Sequence, residues 1–333
     1  VKKTAALLLK TVITVLVIAY VIHSLGWNTI TRRLAHADMY FFMLGILTFT
    51  ASMILGAFQW KELLKMKDIS ISSSRAVSIY MTGIFFYNFM LGIVGGDAYK
   101  VAALHISGDS GKKAFASTFL DRFFGLLVIT IFAIIGGGII LIENIQRGTP
   151  ILASLIVLFL FSSIFIAVFL LIISQRLQRV FVQILQWLPS FPLKEKVTAV
   201  IHTVFINRRN IQEKKILIRV GIYSVLIQIL RIVVHIFCAA ALGIYTPERL
   251  PYFFIIIPII SLLMIIPLPF GVKEVIGGKL FVAAGFPPTA TIMELLASLV
   301  AVFSSLAGGL TFILGRNHTK IKNPVQQPIS KDT

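Results

Sequence analysis

The chain has 333 residues, of which 57% are hydrophobic and 13% charged, and its mean hydropathy is +0.93. Soluble domains carry roughly 25% charged residues, so this composition places the chain among polytopic membrane proteins, and the apolar runs below make an all-α fold the expectation. The net charge of +18, from 31 Lys+Arg against 13 Asp+Glu, then marks cytoplasmic loops and anionic lipid surfaces, which makes membrane lipids with anionic headgroups the expected partners and excludes nucleic acid.

Lys2 and Lys3 precede an apolar run from Thr4 to Ile22, long enough to cross a bilayer and longer than a signal-peptide core, so an uncleaved first helix is expected over a leader cut near Ser24-Leu25-Gly26. Further apolar runs cover Tyr40 to Trp60, Ala76 to Val94, Phe123 to Ile142, Ile151 to Ile173, Val220 to Leu242, Pro251 to Pro267, Val275 to Phe286 and Thr291 to Leu314. Between Gln175 and Leu188, apolar residues recur at helical spacing opposite Arg176, Arg179, Gln183 and Gln186. A second such pattern follows at Val197, Val200, Ile201, Val204 and Phe205. The connection over about 175–215 thus holds amphipathic helices that lie at the interface or pack on protein. Residues 1–315 form one transmembrane domain, and the polar tail 316–333, with Pro324 and Pro328, is expected to be disordered.

Positive charge sets the topology. Most of the 31 Lys+Arg fall at the N-terminus, after Trp60, after Gly96 (Lys100, Lys112, Lys113, Arg122), in the amphipathic connection and in the tail. The positive-inside rule places all five segments, and both termini, in the cytoplasm of a multi-pass plasma (inner) membrane protein. Three apolar runs separate the loop at Lys61 from that at Arg176, an odd number, so one must enter and leave on the same side. Ala76 to Val94, ending in Gly95-Gly96, is the candidate; Pro251 to Phe286, broken by PLPFGVKE at Pro267 to Glu274, solves the same problem near the C-terminus. About six spanning helices plus two opposed re-entrant hairpins are expected, the arrangement in which transporters place a site near the midplane.

The charges inside these hydrophobic stretches are the candidate chemistry. Glycine-broken backbone and ionisable side chains are tolerated at membrane depth only against protein or a water-filled cavity. Asn88, Gly95, Gly96, Asp97 and Lys100 lie in the first hairpin, and Asp97 is placed as the N-cap of a helix through Lys100. Free N–H groups there, with Lys100 one turn in, suit an anionic group; a capped interfacial helix with a snorkelling Lys100 is the plain alternative. Asp121-Arg122 precedes the run at Phe123, where Arg122 is suited to phosphate, or to a structural Asp97–Arg122 pair beside Lys100–Asp121. Lys273 and Glu274 sit at the tip of the second hairpin, facing a cavity or, if the break surfaces, water. Gln228, Arg231 and His235 form one polar stripe, with Arg231 able to neutralise Glu274 or Glu294 or to meet a headgroup. Cys238 is the single cysteine and the six His lack ligand spacing, so no metal site and no cofactor are expected. No nucleophile elbow or phosphate-binding loop is present, so no catalytic residue is assigned and an enzyme is not expected.

At these residues the chain resembles the lysylphosphatidylglycerol synthase transmembrane-region family, a flippase-like, UPF0104-type family. The resemblance runs from Leu7 to Gly315 and is carried by FQWKELL at Phe58 to Leu64, FFYNFMLGIVGGDAYK at Phe85 to Lys100, LDRFFGL at Leu120 to Leu126, LRIVVHIFCAAALGI at Leu230 to Ile244, VKE at Val272 to Glu274 and AGGLTF at Ala307 to Phe312. It implies an integral inner-membrane protein related to the part that translocates aminoacylated phospholipid in two-part resistance proteins. The aminoacyl-transfer domain of those proteins is a separate soluble C-terminal region, which implies that this chain does not make the lipid itself. Lys100 stands where the family commonly has Arg, Leu91-Gly92 where it has Pro-Gly, the second hairpin is shorter, and no Arg stands near Ser298. The expected function is binding and translocation of an anionic lipid, phospholipid or polyprenyl-phosphate-linked; the alternatives are a membrane-embedded glycosyl or lipid transferase and a non-catalytic envelope partner subunit. The sequence sets no oligomeric state.

Overall fold

The computed structural model describes residues 16, 19–20, 22–89, 93–146, 152–173, 180, 183, 211–263 and 271–319. Most of the expected first helix, nearly all of the amphipathic connection, residues 90–92 and 264–270, where the tips of the two expected hairpins fall, and the tail beyond Thr319 lie outside them. Among the described residues every regular element is helical. In chain order they are α1 (Trp27–Ala35), α2 (Met39–Lys65), α3 (Ser73–Phe89), α4 (Ile93–Ile106), α5 (Gly111–Gln146), α6 (Leu152–Ile173), α7 (Ile211–Ala241), a 3₁₀ turn (Pro247–Arg249), α8 (Leu250–Leu263), α9 (Val272–Ala283) and α10 (Ala290–Thr319).

Four of these helices are long and apolar enough to cross a bilayer, through Met39–Lys65, Gly111–Gln146, Lys215–Ala241 and Ala290–Ile313. At about 1.5 Å per residue, α2 reaches roughly 40 Å and α5 roughly 54 Å, more than the ~30 Å hydrocarbon core. The start of α2 is fixed by Asp38, whose carboxylate accepts from the Tyr40 N–H at 2.8 Å. α2 and α7 run antiparallel. The Asp38 N–H donates to the Ala241 carbonyl and Phe41 packs on Phe237 at one end, while Gln59 meets Ser224 and Glu62 meets Arg219 at the other. α5 is antiparallel to α2 in turn, through Gln59 with Asp121 and Leu63 with Ser117.

Of the remaining helices, α6 packs on α5, and four pair off as two short hairpins, α3 with α4 and α8 with α9. At 17, 14, 14 and 12 residues, each is about 18–26 Å long and shorter than a hydrocarbon core. Both dock on α10, on opposite halves of it. Close approach is bought with glycine: a Cβ on Gly308 would collide with the Met81 carbonyl of α3, and one on Gly278 of α9 would collide with Thr291. Near the tips, Asn88 Nδ2 donates to the Ala301 carbonyl, and Ser298 Oγ donates to Glu274. Asn88 of α3 and Glu274 of α9 therefore reach the same turn of α10, half-way along its membrane-length segment.

Two apolar clusters follow from this pairing. One gathers Met53, Trp60, Ile79, Tyr80 and Leu104 around the first hairpin; the other gathers Phe253, Ile257, Phe281, Met293 and Val300 around the second. Polar residues occupy the seam between them.

Candidate functional site

The seam encloses a cavity of about 410 Å³. Of the residues singled out from the sequence, Asn88, Asp121, Arg122, Arg231 and Lys273 line it, together with Gln228 and His235 of the α7 stripe. Gln59, Tyr80, Tyr87, Ser224, Glu294 and Ser298 complete the polar wall, and Phe119, Phe123, Leu126, Ile129 and Ile257 supply apolar wall. Phe119 is 41% exposed at the molecular surface, so the cavity has an apolar edge that reaches the outside of the bundle.

The first hairpin contributes a closed charge network. α4 begins at Ile93, so Asp97 is its fifth residue and not the N-cap that the Gly-Gly-Asp sequence suggests. Gly95 and Gly96 continue the helix because α4 must lie against α3: a Cβ on Gly96 would sit 2.6 Å from the Gly83 carbonyl oxygen. Set inside the helix, the Asp97 carboxylate accepts two hydrogen bonds from Arg122, from Nε at 3.1 Å and Nη2 at 3.0 Å. Arg122 in turn lies within the continuous helix α5, not ahead of it. The two-point geometry suits a guanidinium and holds the rest of Arg122 toward the cavity.

Lys100 is fully buried, with Nζ 3.1 Å from Asp97, 3.7 Å from Asp121 and 4.6 Å above the Tyr80 ring. Its Nζ makes these ion-pair approaches without a hydrogen bond of good geometry. It stands behind the cavity wall, where it is not a snorkelling residue and does not count among loop cations. Asp121 also accepts from Gln59 Nε2 at 2.9 Å, and Gln59 Oε1 accepts from Ser224 Oγ at 2.9 Å. A continuous polar chain thus ties α7, α2, α5 and α4 together: Ser224, Gln59, Asp121, Lys100, Asp97, Arg122. Two cations face two carboxylates in it, so its charge is compensated internally.

The second hairpin is built differently. Glu274, fully buried, turns away from the cavity: its Oε2 accepts from the Gly271 N–H at 2.9 Å, capping α9, and its Oε1 accepts from Ser298. Lys273 lines the cavity, with Nζ 3.6 Å from Glu274. Glu294, on α10, lines the cavity opposite His235 of α7, with Nε2 to Oε2 3.8 Å; its Oε1 is buried without a hydrogen-bond partner.

Arg231 stands between the two hairpins. It pairs with neither Glu274 nor Glu294; among the described residues its guanidinium has no ion-pair or hydrogen-bond partner. An arginine within a membrane-length helix, facing a cavity and lacking a counter-ion, is costly unless something else supplies one. Around the cavity the formal charges are three cations, Arg122, Arg231 and Lys273, against two carboxylates, Asp121 and Glu294. In the sequence Glu294 is marked only as a candidate counter-ion of Arg231, and Ser298 is not marked as a site residue. The signal available for Glu294 was a carboxylate near the start of an apolar run; Ser298 carried none, because a serine in a helix is ordinary until its partner is known.

The model of the family described as lysylphosphatidylglycerol synthase TM region matches residues 7–309 of the chain. A UPF0104 membrane protein of Methanothermobacter thermautotrophicus is 26% identical over 300 residues, covering 83% of this chain and 84% of that protein. A UPF0104 membrane protein of Pyrococcus horikoshii is 30% identical over 114 residues, 32% of this chain and 34% of that protein. No solved structure matches.

Proposed function

The chain belongs to the lysylphosphatidylglycerol synthase TM region family and is a multi-pass membrane protein, and from that premise we propose that its cavity holds the anionic headgroup of a membrane lipid and that the protein moves that lipid across the bilayer. Arg231 carries the reading: a guanidinium on a membrane-length helix, lining a cavity of about 410 Å³ with no counter-ion among the described residues. Arg122 and Lys273 line the same cavity from other helices, and Asp97 holds Arg122 through two hydrogen bonds. The apolar edge at Phe119 and Phe123 suits acyl or prenyl chains that remain in the bilayer while the headgroup enters.

In this reading about six helices span the plasma (inner) membrane and the two hairpins enter it from opposite faces, with both termini cytoplasmic. The antiparallel order of α2, α5 and α7 supports it, because it brings Lys65, Lys112 and Arg219 to one end of the bundle. Single cysteines at Lys112 and Lys194 label from the same side if this topology is right and from opposite sides if it is wrong.

The functional test is reconstitution into liposomes with labelled phosphatidylglycerol and labelled polyprenyl phosphate. Arg231→Ala is expected to slow translocation of the lipid that wild type moves by about 10- to 100-fold, the equivalent of one charge-assisted contact of roughly 1.5–3 kcal/mol. Translocation unchanged by both Arg231→Ala and Arg122→Ala overturns the headgroup assignment.

A further inference from the structure

The closed network on the first hairpin leaves no charge unanswered, whereas the wall formed by α7 and α10 does. His235 Nδ1 lies 2.9 Å from the Arg231 carbonyl oxygen. A carbonyl oxygen only accepts, so Nδ1 carries the hydrogen, and in the neutral ring Nε2 is left with a lone pair. That lone pair faces Glu294 Oε2 at 3.8 Å. Two acceptors thus look at each other across the cavity wall, and the other oxygen of Glu294 is buried with no donor. One proton between them changes the balance: carried by Glu294, it makes a neutral acid; carried by His235, it makes an ion pair.

The surrounding charges do not replace that proton. From α9, Lys273 is the cation that acts on Glu294, but its Nζ lies 3.6 Å from Glu274 and is shared with it; Glu274 is itself committed to Gly271 and Ser298. From α7, Cys238 is buried close by, and Arg231 lies one turn before His235 on the same stripe. From α3, Tyr87 lines the cavity; from α8, Ile260 and Ser261 bring no charge; on α10 itself, Ser298 is the next polar residue and already donates to Glu274. α9 approaches with Gly277, where a Cβ would stand 3.1 Å from Glu294 Cγ and Cδ, so the carboxyl is held close under a glycine. An unpaired carboxylate so enclosed is disfavoured and takes up a proton or a partner instead.

We propose that Glu294 and His235 form a single-proton site that couples lipid transport to protons. The inference rests on the headgroup reading for its coupling part. When the site is deprotonated, the Glu294 carboxylate competes with an incoming anion for the cations of the cavity, Lys273 first among them; when it is protonated, those cations are left to the anion. Proton and anionic headgroup therefore bind together, one proton for one anion, with no covalent change to the lipid: the proton adds to a carboxylate oxygen or to Nε2 and leaves from the same atom.

The experiment uses the full chain in nanodiscs. Infrared difference spectra between acid and alkaline buffer read the carboxyl C=O stretch directly, and fluorescent phosphatidylglycerol is titrated at each pH. A titrating carboxyl band is expected in wild type, absent in Glu294→Gln and displaced in pH in His235→Gln. Phosphatidylglycerol affinity in wild type is expected to fall about tenfold per pH unit above the titration of that band, and to be flat in Glu294→Gln. Identical infrared differences in wild type and Glu294→Gln overturn the proton site, as does an effect produced by sodium at constant pH. A band that titrates while affinity stays flat in wild type overturns the coupling. If no lipid binds at any pH while the Glu294 band titrates, the headgroup reading falls and the proton site stands.

Discussion

Replacing Lys100 by methionine isolates what a buried counter-charge does in this fold. Methionine keeps most of the aliphatic stem that packs against Tyr80 and under Gly83, so the packing loss is small. The charge loss is not. Asp97 retains its two hydrogen bonds from Arg122, but Asp121, with a side chain 5% exposed, keeps only the Gln59 amide. Removing one partner of a buried ion pair costs about 3–5 kcal/mol because the other charge is left behind, and the lower half of that range is expected here since Gln59 still donates. Adding Asp121→Asn removes the stranded charge, and a coupling of about 2–3 kcal/mol should be recovered in the double variant. Equilibrium unfolding in mixed micelles, followed by intrinsic tryptophan fluorescence, is a suitable assay because the Trp60 ring lies 5.7 Å from Lys100 Nζ. A single-variant loss below about 1 kcal/mol, or no recovery on adding Asp121→Asn, refutes the compensation argument.

Gly308→Ala is expected to destabilise the protein by about 1–3 kcal/mol, since the new methyl meets the backbone of Met81 and backbone yields less readily than a side-chain end. A crosslink between Thr82→Cys and Thr311→Cys, whose hydroxyls are 3.0 Å apart, should form in the parent and weaken when Gly308→Ala is added. Ser298→Ala removes a donor to the buried Glu274 and is expected to cost about 1.5–3 kcal/mol in the same unfolding assay. Asp68→Ala provides the contrast: its partner Lys113 is 43% exposed and Asp68 itself 85% exposed, so a change below about 1 kcal/mol is expected.

Much of this molecule was legible as sequence, for reasons that can be located. Hydropathy and length mark α2, α5, α7 and α10 because each must bury or expose an apolar surface over the thickness of a bilayer. The stripe Gln228, Arg231, His235 is legible because helical periodicity alone puts it on one face, and the structure turns that face to the cavity. Asp97 was misjudged where local rules and tertiary packing compete. Gly-Gly-Asp reads as a break and a cap, yet the glycines serve contact with Gly83 and the helix passes straight through them. The same competition hides Lys100, which sequence counts as a loop cation and the fold consumes in a buried network. The opposition of His235 and Glu294 was out of reach, because it depends on α7 and α10 facing one another across residues distant in the chain.

The two hairpins meet α10 at one turn, through Asn88 and Glu274, with opposite electrostatic habits, and that difference bears on which part of the protein responds to a ligand. Around the first, Asp97, Asp121, Lys100 and Arg122 satisfy one another and are tied through Gln59 to Ser224 of α7. Displacing any of them strands a buried charge, so this wall is expensive to move. Around the second, Glu274 is fixed by its own helix cap and by Ser298, but Glu294, His235 and Arg231 lack mutual partners of good geometry. A proton or an anion arriving there gains interactions without breaking existing ones. In the proposed coupled transport, which requires differential binding between states, the faces of α7 and α10 supply that difference and the first hairpin is the fixed wall against which they work.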